Sequence, residues 1–377
     1  MKSFLNNRTT TSSTFGLKLL QKGWLGKGFL ILVGLAAIYR LGIALIADYT
    51  VFIQQIINGL QLGFVYALIA LGYTMVYGIV RLINFAHGDV FMVGSFISFY
   101  CISRFRLHLW LQNLAPDLPS AFSLVVGALT VVLVAMVSCA FMAFVIERIA
   151  YKPLRNAPRI SALITAIGVS FFLEYFGALQ FVFTPNFITF QRPFDVFSWS
   201  FGSLGVLPVE FGKAPPPGSI LFSNIFILIV AISLALLLIL NYIVRKTKIG
   251  KAMRAVAYDK ETARLMGINV DLIISVTFGI GASLAGAAGM LYAIAFPSIF
   301  FSMGIIPGLK AFVSAVLGGI GSIPGALVGA LILGQTEVLS AAYISTPMRD
   351  AIAFSILIIV LLVRPTGIFG EPQREKA

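Results

Sequence analysis

The chain has 377 residues, is 59% hydrophobic and only 11% charged, and carries a formal net charge of +13. That balance excludes a water-soluble globule, because repeated apolar runs of roughly 18 or more residues need bilayer as their solvent. The excess of Lys and Arg does not point to nucleic acid, since the basic residues sit in short segments between apolar runs, where they act as topology signals.

Residues 1–27 hold Lys2, Arg8, Lys18 and Lys22 without an acid before the next apolar run. They read as a basic cytoplasmic tail, with an organellar transit peptide as the alternative. The run 28–47 is long enough for a first helix. The next, 51–78, exceeds a hydrocarbon core of about 30 Å and must tilt, break or protrude. A break is expected at RLINFAHGD, residues 81–89. An apolar segment at 90–103, a connection with Pro116 and Pro119, and a span at 122–146 follow. The loop ERIAYKPLRNAPR carries Arg148, Lys152, Arg155 and Arg159 against Glu147, so it belongs inside.

A span at 160–183 leads into the longest connection, 184–220. Its charges balance, Arg192 and Lys213 against Asp195 and Glu210, as expected of an outer loop. The span 222–244 then delivers the chain to a basic island at 245–268. That island has Arg245, Lys246, Lys248, Lys251, Arg254, Lys260 and Arg264 against Asp259 and Glu261, so it is cytoplasmic. Between Ala252 and Met266 it lacks Pro and Gly, which predicts one short surface helix stopping at Gly267. After a span at 270–296, residues 306–340 enter and leave on the outer side, turning at LGGIGSIPG. This parity keeps the basic tail 364–377 inside after a last span at 350–363. The expected fold is all-α: a polytopic transmembrane helix bundle over 28–363, with about eight full crossings, within a range of roughly eight to ten, plus a re-entrant broken-helix hairpin.

Glycines at helical spacing, Gly59 with Gly63, Gly281 with Ser283 and Gly286, and Gly325 with Gly329, read as helix-packing positions. Gly318, Gly319 and Gly321 beside Pro324 are different, because so many breakers cannot continue a helix. At the first break, Asn84, His87, Gly88 and Asp89 place polar groups at membrane depth, where such groups face a bundle interior or a wet path. Two readings stand for them: a proton relay through His87 and Asp89, and the satisfaction of backbone groups freed by the break, which is preferred. Lys310 is expected to snorkel outward, Glu337 to pair with Arg349 or Lys310, and Glu174 to face protein. Cys101 and Cys139 lie in apolar runs and read as packing residues without metal-ligand spacing. The sequence has no G-x-x-x-x-G-K-[ST] phosphate loop, no H-E-x-x-H and no G-x-S-x-G. An energy source must therefore come from a partner or from an ion gradient.

Three stretches in this order, NGLQLGFVYALIALGYTMVYGIVRLINFAHGD, KTKIGKAMRAVAYDKETARLMGINV and LKAFVSAVLGGIGSIPGALVGALILG, resemble the permease subunits of bacterial ABC importers for branched-chain amino acids. The resemblance runs over residues 52–369. It implies a multi-pass protein of the bacterial cytoplasmic membrane that forms the translocation path for branched-chain or related hydrophobic amino acids. It implies a second homologous permease, two ATPase subunits that bind ATP and Mg, and a periplasmic binding protein as partners, with surrounding lipid and no nucleic acid. No cofactor or metal is implied in this chain, which would not itself be an enzyme.

In that family the cytoplasmic loop is the coupling segment, with Glu-Ala-Ala followed by Gly. Here the pattern appears as Glu261, Thr262, Ala263 and Gly267, preceded by Ala257, Tyr258 and Asp259, with Thr262 as a departure. Asn84, His87, Gly88, Asp89, Gly318, Gly319 and Gly321 are candidates for the path, where half-helix ends favour the charges of a zwitterion. Family members carry urea or short amides as well, and an ion-coupled secondary transporter centred on His87 and Asp89 is the alternative mechanism.

Overall fold

The computed structural model describes residues 39–155, 157–202, 205–210 and 216–370. The tail 1–27, most of the run 28–47 and residues 371–377 lie outside the described residues. The chain divides into two units, Met1–Ile53 and Gln54–Ala377. In the first, residues 39–47 are helical and Asp48 interrupts them. Asp48 Oδ1 accepts the backbone N–H of Thr50 and of Val51 at 3.0 and 3.1 Å, the pattern of a cap that starts helix α1 (Tyr49–Val80).

The second unit is a helical bundle. Helix α1 has 32 residues, so it is about 48 Å long and outreaches a hydrocarbon core without a break. It ends where Arg81 takes a φ of 60°, and α2 (His87–Ser103) starts after a short irregular segment, so the expected break at 81–89 is present. Helix α2 bends by 58° into a 3-10 turn and α3 (Trp110–Leu114). Next, α4 (Ser120–Ile146) runs into a π-helical turn, Glu147–Tyr151, followed by α5 (Arg159–Gly177). After the long loop come α6 (Asn224–Lys246), α7 (Lys248–Tyr258), α8 (Lys260–Leu265) and α9 (Val270–Ala295). The chain closes with α10 (Ile305–Gly318), α11 (Ile323–Tyr343) and α12 (Arg349–Val363).

Among the described residues, six helices are long and apolar enough to cross a membrane, or seven if the bent α2–α3 pair counts as one. The expected figure of about eight included the run 28–47, mostly outside the described residues, and the runs at 90–103 and 350–363. The last two form helices of 17 and 15 residues, about 26 and 23 Å, short of a full crossing when taken alone. Conversely α11, read as one arm of a re-entrant hairpin, has 21 residues and is long enough to cross by itself. Its partner arm α10 has only 14.

The all-α expectation holds for the bundle, while the long loop adds a small antiparallel sheet. In it β2 (Phe197–Gly202) lies between β3 (Gly205–Glu210) and β4 (Ile220–Ser223). The segment FSWSFG alternates aromatic and small polar residues, the period of a strand, and Pro208 sits on the edge strand β3, where no donor is missed. A two-residue pair joins β1 (Ile188–Thr189) to β5 (Ser298–Ile299).

Burial separates the helices into centre and rim. The apolar stretches of α1 and α9 are 78% and 72% buried, against 17% for α5 and for α6. Helix α4 shows how one sequence serves both sides. Phe122, Val125, Leu129, Leu133, Val137 and Phe141 form an exposed stripe of large apolar residues suited to lipid. Its opposite face has Ala128, Ala135, Cys139 and Ala143, whose small side chains let α9 come close. At the α2–α9 crossing a Cβ on Gly94 would lie 2.6 Å from the Gly286 Cα, so any larger residue there separates the helices.

Candidate functional site

The basic island forms two helices rather than the single one expected from 252–266. Thr247 caps α7 by accepting the Gly250 N–H at 3.1 Å, and Gly250, Met253 and Val256 turn one apolar face inward while Lys251 and Arg254 stay exposed. The break falls at Asp259 because its backbone is extended and its carboxylate accepts the N–H groups of Glu261 and Thr262 at 2.9 and 3.1 Å. An Asp serves better as the cap of a new helix than as an interior residue of the old one.

Helix α8 stops as predicted. Gly267 has φ +80°, its N–H bonds to the Arg264 carbonyl, and the Ile268 N–H bonds to the Ala263 carbonyl, both at 3.0 Å, the paired closure of a Schellman motif. Of the expected coupling residues, Tyr258, Glu261, Thr262 and Gly267 are exposed, Ala257 and Asp259 are half-buried, and Ala263 is buried as the packing foot of α8. The sequence reading missed Leu265 and Met266, which are 88% and 77% exposed on this polar segment. The signal was an apolar pair at the end of a short basic helix, where a solvated helix has no use for it.

Above α7 and α8 lies a cavity of about 680 Å³. One wall is Tyr258, Asp259, Lys260 and Glu261, another is Val80, Arg81, Leu82 and Ile83 at the first break, and a third is Glu147, Tyr151 and Arg155. The α7–α8 junction and the first break thus face one space. Lys260 is held below the ordinary lysine value, first by loss of water around its ammonium and then by the nearby charges of Arg155 and Arg81.

A polar network runs along the third wall. Arg155 is ion-paired with both Glu147 and Asp271, and Lys152 Nζ lies 3.1 Å from Asp271 Oδ2. Ser275 donates its hydroxyl to Glu147 Oε2 at 2.5 Å, and Tyr151 donates to Asn84 Oδ1 at 2.6 Å.

At the first break Asn84, His87, Gly88 and Asp89 are all buried, but they point to different neighbours. His87 packs against Gly72 and edge-on to Tyr73, with ring centroids 4.7 Å apart. Asp89 accepts the Ser170 hydroxyl of α5, with Glu174 buried one turn further along that helix. Gly88 fits against Gly304 and Gly308, where a Cβ would lie 2.5 Å from the Gly304 carbonyl oxygen. Among the described residues no hydrogen bond joins His87 to Asp89, and His87 Nε2 and Asp89 Oδ1 each have no hydrogen-bond partner.

The second break is tightly packed. Gly319 and Gly321 take φ values of +103° and +99°, and a Cβ on Gly318 would collide with the Gly325 carbonyl. The C-terminal end of α10 is closed from outside the hairpin: the N–H groups of Ile368 and Phe369 bond to the carbonyls of Leu317 and Gly318 at 3.0 and 2.9 Å. Those half-helix carbonyls are therefore already satisfied. Nothing in the sequence indicated that the tail reaches them.

Within α10, Lys310 does not snorkel. It is 2% exposed, with Nζ 2.7 Å from Glu337 Oε1 and 2.8 Å from Asp350 Oδ1, while Tyr66 donates to Glu337 Oε2 at 3.0 Å. Arg349 Nε stands 3.6 Å from the same Glu337, so both partners expected for that carboxylate are present.

Apolar spans with lipid-suited faces, two helix breaks and a capped polar double helix define a polytopic membrane protein of the transport-permease class. The family model for the branched-chain amino acid transport system permease component matches residues 55–361. The high-affinity branched-chain amino acid transport system permease protein LivH of Salmonella typhimurium is 40% identical over 333 residues, covering 87% of this chain and 99% of the relative, as is its namesake from Escherichia coli K12. The corresponding BraD protein of Pseudomonas aeruginosa is 39% identical over 325 residues, covering 86% and 98%. No solved structure matches the chain. The chain belongs to the permease-component family of branched-chain amino acid transport systems.

Proposed function

We propose that the chain is the membrane-spanning permease subunit of an ATP-driven importer, a multi-pass protein of the bacterial cytoplasmic membrane that forms the path for branched-chain amino acids. As a permease component it works with ATPase and binding-protein partners, and nucleotide binding belongs to the ATPases. In the finer reading, it pairs with a second homologous permease on two ATPase subunits, and a periplasmic binding protein delivers the substrate. The segment 245–268 and both tails, 1–27 and 364–377, face the cytoplasm, the loop 184–220 faces outward, and 306–340 is a re-entrant hairpin.

The observation that carries this reading is the exposed ridge of α8, where Glu261, Thr262, Leu265 and Met266 stand out on a capped, doubly terminated helix. A short helix with fixed ends transmits a rigid-body push that a flexible loop would absorb. Large apolar side chains held in water mark a protein contact, and the ATPase is the partner whose energy this chain lacks. The test is co-purification with the ATPases of its own system: Leu265→Asp with Met266→Asp abolishes it without removing the permease from the membrane. Undiminished co-purification contradicts the contact.

The path reading is tied to the cavity that joins α8 to the first break. Its apolar wall of Leu82, Ile83, Leu163 and Phe278 suits an aliphatic side chain, and Arg81 at its rim suits a carboxylate. Gly318, Gly319 and Gly321 serve this path as the packed turn that holds the hairpin, with Asn84, His87, Gly88 and Asp89 setting the geometry of the first break.

A further inference from the structure

The network on the third wall joins three elements that the chain keeps far apart. It begins at the π-helical turn Glu147–Tyr151, where the register of α4 changes. Such turns insert one extra residue into a helical turn and are frequent at functional sites. Here the turn directs Glu147 to Ser275 of α9 and Tyr151 to Asn84 in the first break.

Glu147 is fully buried, and its two oxygens are met by Arg155 and by Ser275 of α9. A buried carboxylate held by a guanidinium fork and a hydroxyl is fixed in place, because losing either partner leaves charge unsatisfied. The same fork holds Asp271 in the first turn of α9. Asp271 stands four residues beyond Gly267, across a connection with its own cap, since Asn269 Oδ1 accepts the Leu272 N–H at 3.1 Å. A displacement of α8 therefore reaches Asp271 with little slack. At the other end Tyr151, its ring 5.4 Å from that of Phe278, donates to Asn84, in the irregular segment between α1 and α2. The cavity of about 680 Å³ leaves room for the two ends to move.

We propose that Arg155, Glu147 and Tyr151 are positioning residues that carry movement of the α7–α8 segment through Asp271 to the Asn84 break. A change of the turn from π to α register rotates Tyr151 away from Asn84, which gives the relay two discrete states. The inference rests on the reading of α8 as the ATPase contact and names the route by which that contact reaches the membrane path.

The test uses the complete transporter in proteoliposomes and reads amino acid taken up per ATP hydrolysed, together with the melting temperature of the complex. Tyr151→Phe keeps the ring and removes only the hydroxyl. It is expected to lower uptake per ATP about tenfold, the scale of one buried hydrogen bond, with little change in melting temperature. Adding Asn84→Ala to Tyr151→Phe gives no further loss if the two act as one link. Asp271→Asn, at a half-exposed position that does not risk the fold, lowers the ratio in the same direction. Arg155→Lys keeps the charge but loses the fork that joins Glu147 to Asp271, and lowers the ratio as well. Unchanged uptake per ATP in both Tyr151→Phe and Asp271→Asn overturns the proposal, as does a fully additive double variant. Glu261→Lys is the control: if it leaves stimulated ATP hydrolysis intact, the α8 contact fails, whereas if it uncouples and Tyr151→Phe does not, only the relay fails.

Discussion

Lys310 and Glu337 form a buried ion pair at 2.7 Å that joins α10 to α11. Asp350 and Tyr66 extend it to α12 and α1. A charge cluster inside an apolar bundle persists only when every member is met. Lys310→Met leaves Glu337 without its closest cation and is expected to destabilise the protein by about 3–5 kcal/mol. Lys310→Met combined with Glu337→Leu regains most of that loss. Thermal unfolding in detergent separates the two outcomes.

The tail closure of α10 gives a second expectation. Truncation after Arg364 exposes the carbonyls of Leu317 and Gly318 and removes two hydrogen bonds of about 1 kcal/mol each. Limited proteolysis should then cut near Gly319–Gly321 in the truncated protein and spare the intact one.

The α2–α9 crossing gives a third. Gly94→Leu has no space against Gly286 and is expected to cost about 1–3 kcal/mol through forced separation of the helices, or more if the backbone cannot shift. Ala135→Gly on the neighbouring α4 face leaves the crossing intact and serves as the comparison in the same unfolding measurement.

Much of this architecture was legible in the chain because its signals are local. RLINFAHGD announces a break by crowding polar groups between apolar runs, and Gly267 ends a helix by the conformation only glycine adopts cheaply. Composition across 252–266 favours one helix, and the split at Asp259 comes instead from its carboxylate capping the second one. Position in the chain favours snorkelling for Lys310, whereas tertiary packing brings Glu337 and Asp350 to it. The tail contacts at Leu317 and Gly318, and the link from Tyr151 to Asn84, join residues distant in sequence and leave no mark on either segment alone.

Lys260 supplies a prediction with a defined pH sign. Its folded-state proton affinity is lowered, so the charged form destabilises the fold, and stability rises as pH climbs from that lowered value toward the ordinary lysine value. Lys260→Gln is therefore expected to melt higher than the parent at neutral pH, with the gain fading as the pH is raised through this alkaline window. A gain that does not depend on pH contradicts the electrostatic origin.

On the proposed reading, α8 is where an external ATPase drives this permease. The direct measurement is substrate-stimulated ATP hydrolysis by the reconstituted transporter carrying Glu261→Lys, with Gly267→Pro as a second variant. Both should reach the membrane in normal amount, and in both the stimulation by loaded binding protein should fall to the unstimulated rate. Full stimulation in both variants would contradict the account.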